Sequence, residues 1–209
     1  MHDLKNLKCL LPDSEALLLK MVEECHFLNK YVLVGGSALT LHLCHRKSED
    51  LDFFTYDDSF DKQEIFAYIQ TFDNKEILNQ TDEQVDVLLD GVKVTFFNAK
   101  WAFLKPGKPQ KFNLASLESI AAMKVNVLFL RAKYRDYYDI YFLVKKSMSL
   151  KKAFECSLNV LDGINFKLFT VALLYTDDIV DDNIEYLEPI ENISKEKIRD
   201  FFQHELNKH

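Results

Sequence analysis

The segment at residues 31–55 constrains the fold more than any other part of this sequence, and it reads YVLVGGSALTLHLCHRKSEDLDFFT. A short apolar run precedes two glycines, Gly35 and Gly36, and helix-favouring residues resume at Ser37. This order predicts a strand, a tight turn and a helix. A second predicted strand carries Asp50 and Asp52, and the two-residue period of a strand places both on one face, with about 7 Å between their Cα atoms.

Both halves of this segment favour a nucleotide site. Glycines at the start of a helix let backbone amides approach an anion, and the helix dipole favours phosphate there. Ser37 lies where its hydroxyl either caps the helix or contacts a phosphate. Two carboxylates on one strand face suit Mg²⁺, which keeps several waters and takes one or two protein carboxylates together with substrate phosphates. We therefore predict that Asp50 and Asp52 bind the metal ion and that the glycine turn contacts phosphate.

A hairpin further along the chain supplies a third candidate carboxylate. The pair Asp90-Gly91 separates two short strand-like runs at residues 84–89 and 92–97, and it is the strongest short hairpin signal. A two-residue loop there places Asp86 directly opposite Thr95, and opposed residues share a face of the sheet. We therefore predict Asp86 as a further metal ligand.

A group of basic residues in the second half of the chain predicts phosphate contacts. On one continuous helix, Lys124, Arg131 and Arg135 would lie on one face, at positions i, i+7 and i+11. Three cations in one stripe would bind a triphosphate, with the lysine as a point charge and an arginine as a two-pronged donor. Asp136 and Asp139 flank the stripe, and Arg135 with Asp139 forms an i, i+4 pair of opposite charges.

Length and composition predict compact domains. The chain has 209 residues, of which 48% are hydrophobic and 13% aromatic, and this argues against disorder. Strand and helix signals alternate in the first half, whereas only helical patterns follow residue 113. The sequence KPGKP at residues 105–109 is the best linker candidate. We therefore predict an α/β domain at residues 1–110 and a helical bundle domain at residues 111–209.

Charge, cysteine content and hydropathy limit the binding partners and the cellular location that we expect for this protein. A net charge of −7 and a pI near 5.4 give no global attraction to nucleic acid, so contact with RNA requires a local basic patch. Four cysteines show neither metal-ligand spacing nor a dense framework, and we expect reduced thiols. Apolar runs are too short for a membrane span and the N-terminus does not resemble a signal peptide, so we expect a cytoplasmic protein that does not contact membranes. The candidate basic patch consists of five lysines, Lys93, Lys100, Lys105, Lys108 and Lys111.

Two motifs in this order resemble a known family. The glycine-serine turn followed by Asp-x-Asp is similar to the nucleotidyltransferase superfamily, and the match is closer to the AbiEii/AbiGii-type toxin nucleotidyltransferases, also catalogued as a domain of unknown function. A second block, LESIAAMKVNVLFLRAKYRDYYDIYFL at residues 117–143, is similar to a Lys, Arg and Arg-Asp-x-x-Asp segment of that family. The first block also includes His42, His45, Arg46, Ser48, Phe53 and Phe54.

The resemblance implies a fold, a reaction and roles for these residues. The expected fold is the nucleotidyltransferase α/β fold with a mixed sheet, followed by a C-terminal α-helical bundle. The expected protein is a bacterial toxin with a cognate antitoxin. Its expected activity is the Mg²⁺- or Mn²⁺-dependent transfer of NMP from an NTP to an acceptor. The acceptor is either RNA, with tRNA as the first candidate, or a protein. Expected catalytic residues are Asp50, Asp52, Lys124 and Asp136, and expected substrate contacts are Gly35, Gly36, Ser37, Arg46, Ser48, Arg131 and Arg135.

Several alternatives remain open at this level. Thr95 stands where nucleotidyltransferases that use two metal ions carry a third carboxylate, so a degenerate homologue that binds nucleotide or RNA without transfer is the second hypothesis. A third is an interaction protein that retains only the fold. Gly35 and Gly36 also suit a structural turn, and Lys124 with Arg131 also suits a solvated helix face.

Overall fold

The computed structural model of the protein describes residues 6–108, 110–131, 133–160, 162–177, 179–180 and 183–208. The chain folds into two compact units, Met1–Ser116 and Leu117–His209. The predicted domain boundary at residue 110 stays a prediction, because compactness does not establish that either unit folds alone. Pro109, in the predicted linker, lies outside the described residues.

The first unit contains a five-stranded mixed sheet. Its strand order is β1-β2-β5-β4-β3, in which β2 and β5 are parallel and the other neighbours are antiparallel. Phe53 and Phe96 stack on the buried face, with ring centroids 5.7 Å apart, and both side chains are almost fully buried. The strands are β1 at Tyr31–Val34, β2 at Leu51–Thr55, β3 at Lys75–Gln80, β4 at Gln84–Leu89 and β5 at Val92–Phe97.

Apolar spacing also predicts helices at residues 12–28 and 61–72, and the first unit contains α-helices in both segments and after the glycine turn. They are α1 at Pro12–Glu24, α2 at Gly35–Leu43 and α3 at Lys62–Ile69. The helix α2 begins at Gly35, two residues before the predicted start, because Gly35 makes the whole turn with φ +72°. The Asp61 side chain caps α3 by accepting from two backbone amides, so this aspartate precedes the helix.

The hairpin of β4 and β5 agrees with its prediction in bounds and register. Asp90 and Gly91 both have positive φ, as the two central residues of a type I′ turn require. The strand β3 was not predicted. Its residues are mostly exposed and lack an apolar alternation, and it forms the edge of the sheet.

The second unit is helical, which confirms the predicted fold class. The apolar spacing predicts helices at residues 114–130 and 150–161. The first begins at Leu117 and the second ends at Ser157, while Leu161 lies outside the described residues. Phe142, Phe169 and Phe202 are fully buried in this unit. The helices are α4 at Leu117–Leu130, α5 at Tyr134–Lys146, α6 at Leu150–Ser157, α7 at Phe166–Leu174 and α8 at Lys195–Leu206. No helix in the described part of the chain is long and apolar enough to cross a membrane.

One cysteine pair departs from the expected reduced thiols. Cys9 and Cys44 form a disulfide with their Cα atoms 5.6 Å apart, a usual separation for such a bond. Spacing along the sequence could not reveal this pair, because the fold brings together residues 35 positions apart. Cys25 and Cys156 are free and buried, and burial raises the pKa of the Cys25 thiol to about 12.

Candidate functional site

The Asp-x-Asp segment leads into β2, an interior strand of the sheet. Asp52 belongs to β2, between Val34 of β1 and Thr95 of β5. Asp50 precedes the strand, which begins at Leu51, so the prediction that both aspartates belong to one strand is wrong. Both aspartates are partly exposed, in contrast to the buried residues at positions 51 and 53. The pair therefore reaches solvent from the face of the sheet opposite the aromatic core.

The two glycines allow close packing around these carboxylates. A Cβ atom on Gly35 would lie 2.7 Å from Oδ2 of Asp52, and one on Gly36 would lie 2.7 Å from Nη2 of Arg46. Gly35 also has a positive φ that side chains rarely adopt. A side chain at either position would therefore displace Asp52 or Arg46, and the start of α2 lies against both of them.

Ser37 connects α2 to the residues that precede β2. Its hydroxyl donates to the Asp50 carbonyl and lies 2.9 Å from the Ser48 hydroxyl. Ser37 and Ser48 are buried, and Ser37 does not cap α2, which starts after Val34 without a side-chain cap. The capping alternative is therefore wrong, and Ser37 fixes the position of the Asp50 backbone.

Arg46 is buried beside the same turn. Only 4% of it is exposed, and its Nη1 donates to the Lys47 carbonyl over 2.8 Å. Its own carbonyl accepts from the Thr40 hydroxyl. Arg46 and Ser48 thus lie together beneath Gly36, and the sequence-based expectation that they contact substrate stays a prediction.

Asp86 occupies the predicted register. It pairs with Thr95, which pairs with Asp52, so these residues form one row across β4, β5 and β2. Two strand spacings place the Asp86 and Asp52 Cα atoms about 9.5 Å apart. Within the described residues, no three histidine, cysteine, aspartate or glutamate side chains form a group that could hold a metal ion. Asp86 as a metal ligand stays a prediction.

Two amide side chains that sequence reasoning missed hold Asp86. Gln84 Nε2 donates to both carboxylate oxygens, at 2.9 and 2.8 Å, and Asn79 Nδ2 donates to Oδ2 at 3.3 Å. Asn79 lies on the unpredicted strand β3, so its contact could not be found without that strand. Gln84 could have been found, because it shares a face with Asp86 two residues earlier.

In the second unit, Lys124 and Arg131 form ion pairs with two buried aspartates. Lys124 Nζ lies 3.0 Å from Asp136 Oδ1 and 2.6 Å from Asp139 Oδ2. Arg131 donates to Asp136 through Nε at 2.9 Å and Nη2 at 3.3 Å. Both aspartates are fully buried, whereas half of the Arg131 side chain is exposed. Burial raises the pKa of the Tyr137 hydroxyl to about 12, and the neighbouring Asp136 carboxylate adds to this increase.

The proposed stripe of three cations is not formed. The helix α4 ends at Leu130 and α5 begins at Tyr134, so Arg135 does not share a helix with Lys124. The prediction required one continuous helix, and the break between α4 and α5 removes that condition. A substrate contact by Arg135 stays a prediction.

Comparison with protein families decides the classification. The model of the family described as "Nucleotidyl transferase AbiEii toxin, Type IV TA system" matches residues 17–100 and 85–208. The chain belongs to this family. The AbiEii chain is therefore a nucleotidyltransferase of the toxin class, as the two sequence motifs predicted.

Individual relatives of the AbiEii chain agree with this result. An uncharacterized protein of Aquifex aeolicus (strain VF5), aq_aa25, is 30% identical over 186 residues, which cover 84% of this chain and 89% of that protein. The structure of MenT4, a nucleotidyltransferase toxin from Mycobacterium tuberculosis H37Rv, has a TM-score of 0.58 and 16% identity, covering 93% of this chain and 84% of MenT4. JHP933 from Helicobacter pylori has a TM-score of 0.53 and 19% identity, covering 95% of this chain and 94% of its own. At these identities the two structures show the shared fold.

Proposed function

We propose that this AbiEii chain transfers a nucleoside monophosphate from an NTP to an acceptor hydroxyl, and that Asp50 and Asp52 hold a divalent cation, Mg²⁺ or Mn²⁺. The observation that carries this proposal is the packing of Gly35 against Asp52 at the uncapped start of α2. A helix N-terminus that attracts phosphate therefore begins beside a carboxylate that can bind a cation.

The donor set fits such a cation. Two partly exposed carboxylates leave coordination positions for waters and for phosphate oxygens, as Mg²⁺ requires. When bound, the cation neutralises phosphate charge and favours attack on the α-phosphorus. The acceptor oxygen would bond to the α-phosphorus, the bond to the bridging oxygen would break so that pyrophosphate leaves, and the hydroxyl proton would pass to solvent water.

We propose that the turn residues bind the triphosphate. Backbone amides of Gly36 and Ser37 would contact phosphate oxygens, and the buried Arg46 supplies positive charge beneath them. Ser48 and the Ser37 hydroxyl act as positioning groups, since they contact each other and the Asp50 backbone.

In the second unit, Arg131 is the proposed phosphate contact. Its side chain is half exposed, while Lys124 and Asp136 are buried in contact with each other. Lys124 and Asp136 therefore act by positioning Arg131 in this proposal, and a direct catalytic role for either stays a prediction. Arg131→Gln should lower kcat/KM about tenfold. Arg131→Lys, which keeps the charge but loses the two-pronged donor, should recover only part of this loss.

The acceptor and partner are part of the proposal. We propose RNA, with tRNA as the first candidate, and the family description of a type IV toxin-antitoxin system supports a cognate antitoxin. A protein acceptor would use the same chemistry. Expression in a bacterial host should stop growth, and the double variant Asp50→Asn with Asp52→Asn should not.

The test of transfer uses each labelled NTP with Mg²⁺, total cellular RNA and cellular protein. We expect label in a product that ribonuclease removes and that the double aspartate variant does not form. Asp73→Asn, an exposed aspartate of the same unit, is the matched control and should keep full activity. Label that only protease removes would change the acceptor to protein.

A second candidate function rests on Thr95, which pairs with Asp52 where a third carboxylate would stand. A degenerate homologue would bind NTP without forming a labelled product. Nucleotide binding detected by calorimetry, with no transfer for any NTP or acceptor, would favour this candidate.

A further inference from the structure

Four aromatic side chains lie beside the carboxylates and take no part in the function proposed above. Phe54 and Phe97 pair across β2 and β5, with ring centroids 5.0 Å apart. Trp101 lies 5.8 Å from Phe54, and Phe103 stacks on Trp101 at 5.4 Å and 24°. We call Phe54, Phe97, Trp101 and Phe103 the aromatic platform.

The platform occupies the same face of the sheet as the carboxylates. Phe54 is two residues after Asp52 on β2, and Phe97 is two residues after Thr95 on β5, so each pair shares a face. The neighbouring residues Phe53 and Phe96 point to the other face and are almost fully buried. All four platform rings are instead half-buried, so they retain surface that a ligand can cover.

Backbone contacts fix the segment that carries Trp101. The Trp101 amide donates to the Thr55 carbonyl at 3.3 Å, and the Lys100 amide donates to the Thr55 hydroxyl at 3.0 Å. Leu104, at the end of the following short helix, is buried. The platform is therefore a built surface, and Lys100, whose half-exposed side chain is paired with Asp58 at 2.9 Å, lies next to it along the chain.

The order of groups along β2 indicates what would cover the platform. Val34 pairs with Asp52 and leads into α2, whereas Val32 pairs with Phe54. The phosphate end of the site therefore lies on one side of Asp52 and the platform on the other. In phosphoryl transfer the attacking and leaving oxygens are in line on opposite sides of the phosphorus. An acceptor thus approaches from the Phe54 side when pyrophosphate leaves towards α2.

We propose that the aromatic platform binds a base at the reacting end of a single-stranded RNA acceptor. Aromatic rings stack on any base, and a neighbouring lysine can contact the backbone phosphate. This proposal rests on the proposed function for its orientation, and it assigns a binding surface to the RNA acceptor proposed there.

Trp101 is the single tryptophan of the chain, so its fluorescence reports on the platform alone. We would titrate the protein with a short single-stranded RNA oligonucleotide, with each NTP and with inorganic triphosphate. We expect the oligonucleotide to quench the fluorescence at a lower concentration than NTP does. We expect inorganic triphosphate not to quench it. Quenching by NTP alone would overturn the proposal and assign the platform to the donor base, and no quenching by either would overturn it entirely.

Variants separate this inference from the proposed function. Trp101→Leu should weaken oligonucleotide binding in a filter assay by about tenfold or more, whereas Trp101→Phe should keep most of it. Tyr175→Leu, an exposed aromatic of the second unit, is the control and should bind normally. The double variant Asp50→Asn with Asp52→Asn should retain quenching by the oligonucleotide. If the wild type does not transfer label but the oligonucleotide still quenches its fluorescence, only the proposed function is rejected. If the wild type transfers label to RNA but Trp101→Leu binds the oligonucleotide as tightly as the wild type does, only the platform is rejected.

Discussion

Two aspartate pairs of this chain lie in opposite environments. Asp50 and Asp52, at the start of β2, are partly exposed, and the start of α2 packs against Asp52. Asp136 and Asp139, one helical turn apart on α5, are fully buried and contact Lys124 Nζ. The same side chain at short spacing therefore serves an exposed site in one unit and a buried ion cluster in the other. Burial, more than residue type, distinguishes the two pairs.

The largest expected effect tests the buried pair. Lys124→Met removes the cation that contacts both Asp136 and Asp139 and leaves buried negative charge. We expect a loss of about 3–5 kcal/mol in the free energy of unfolding of the protein, measured by chemical denaturation. A variant with normal stability would show that this cluster does not hold the fold together.

Removing the disulfide between Cys9 and Cys44 tests how much it stabilises the unit that carries Asp50 and Asp52. Cys9 precedes a segment in which the Leu11 amide donates to the Ser48 carbonyl and the Ser14 hydroxyl donates to the Glu49 carbonyl. Cys9→Ser, or reduction, should cost about 2–4 kcal/mol, because the bond closes a long loop in the unfolded chain. Thermal unfolding with and without reductant measures this, and equal midpoints would contradict the prediction.

The glycine turn offers a sharper test of the exposed pair. Gly35→Ala introduces a Cβ atom 2.7 Å from Asp52 Oδ2, so the carboxylate must move. Gly91→Ala is the matched control, because Gly91 also has a positive φ but no atom lies within 4 Å of the added Cβ. We expect a loss of transfer activity of about ten- to a hundredfold for Gly35→Ala only. Equal activities in the two variants would show that Asp52 need not be held in place.

The smallest effect concerns a surface carboxylate. Glu191 accepts from Lys145 at 2.7 and 2.8 Å, and this hydrogen bond lowers the pKa of Glu191 below its usual value. Because the folded pKa is lower than the unfolded pKa, the stabilisation is present above the unfolded value near 4.5 and is lost as pH falls through the folded value. Glu191→Gln should cost at most about 1 kcal/mol at pH 7, since both side chains are partly exposed. Denaturation at pH 7 and pH 3 should show a smaller difference between variant and wild type at pH 3, because protonation of Glu191 removes part of the stabilisation.

The sequence predicts local features of this fold better than contacts between distant segments. The Asp90-Gly91 turn has a strong local signal, and from it the opposition of Asp86 and Thr95 followed correctly. Strand β3 lacks such a signal because its edge position leaves most of its side chains exposed. The contact of Asn79 with Asp86 depends on β3 and was missed for the same reason.

The candidate site shows the same limit. Spacing identified Asp50, Asp52 and Lys124 as notable residues, but it could not show that Lys124 is buried between two aspartates. Helical periodicity places Arg135 on the same face as Lys124 only if one helix contains both residues. The helix α4 ends at Leu130, before Arg135. Family resemblance located the motifs, whereas the structure shows which side chains reach solvent.

The rate of label transfer from NTP as a function of Mg²⁺ concentration tests the central claim most directly. The wild-type rate should rise with Mg²⁺ and saturate, and chelation by EDTA should abolish it. Asp52→Asn should stay at the background rate with an unchanged melting temperature, while Asp73→Asn should match the wild type. Transfer that continues in EDTA, or in a folded Asp52→Asn variant, would contradict the assignment of this pair as the cation site.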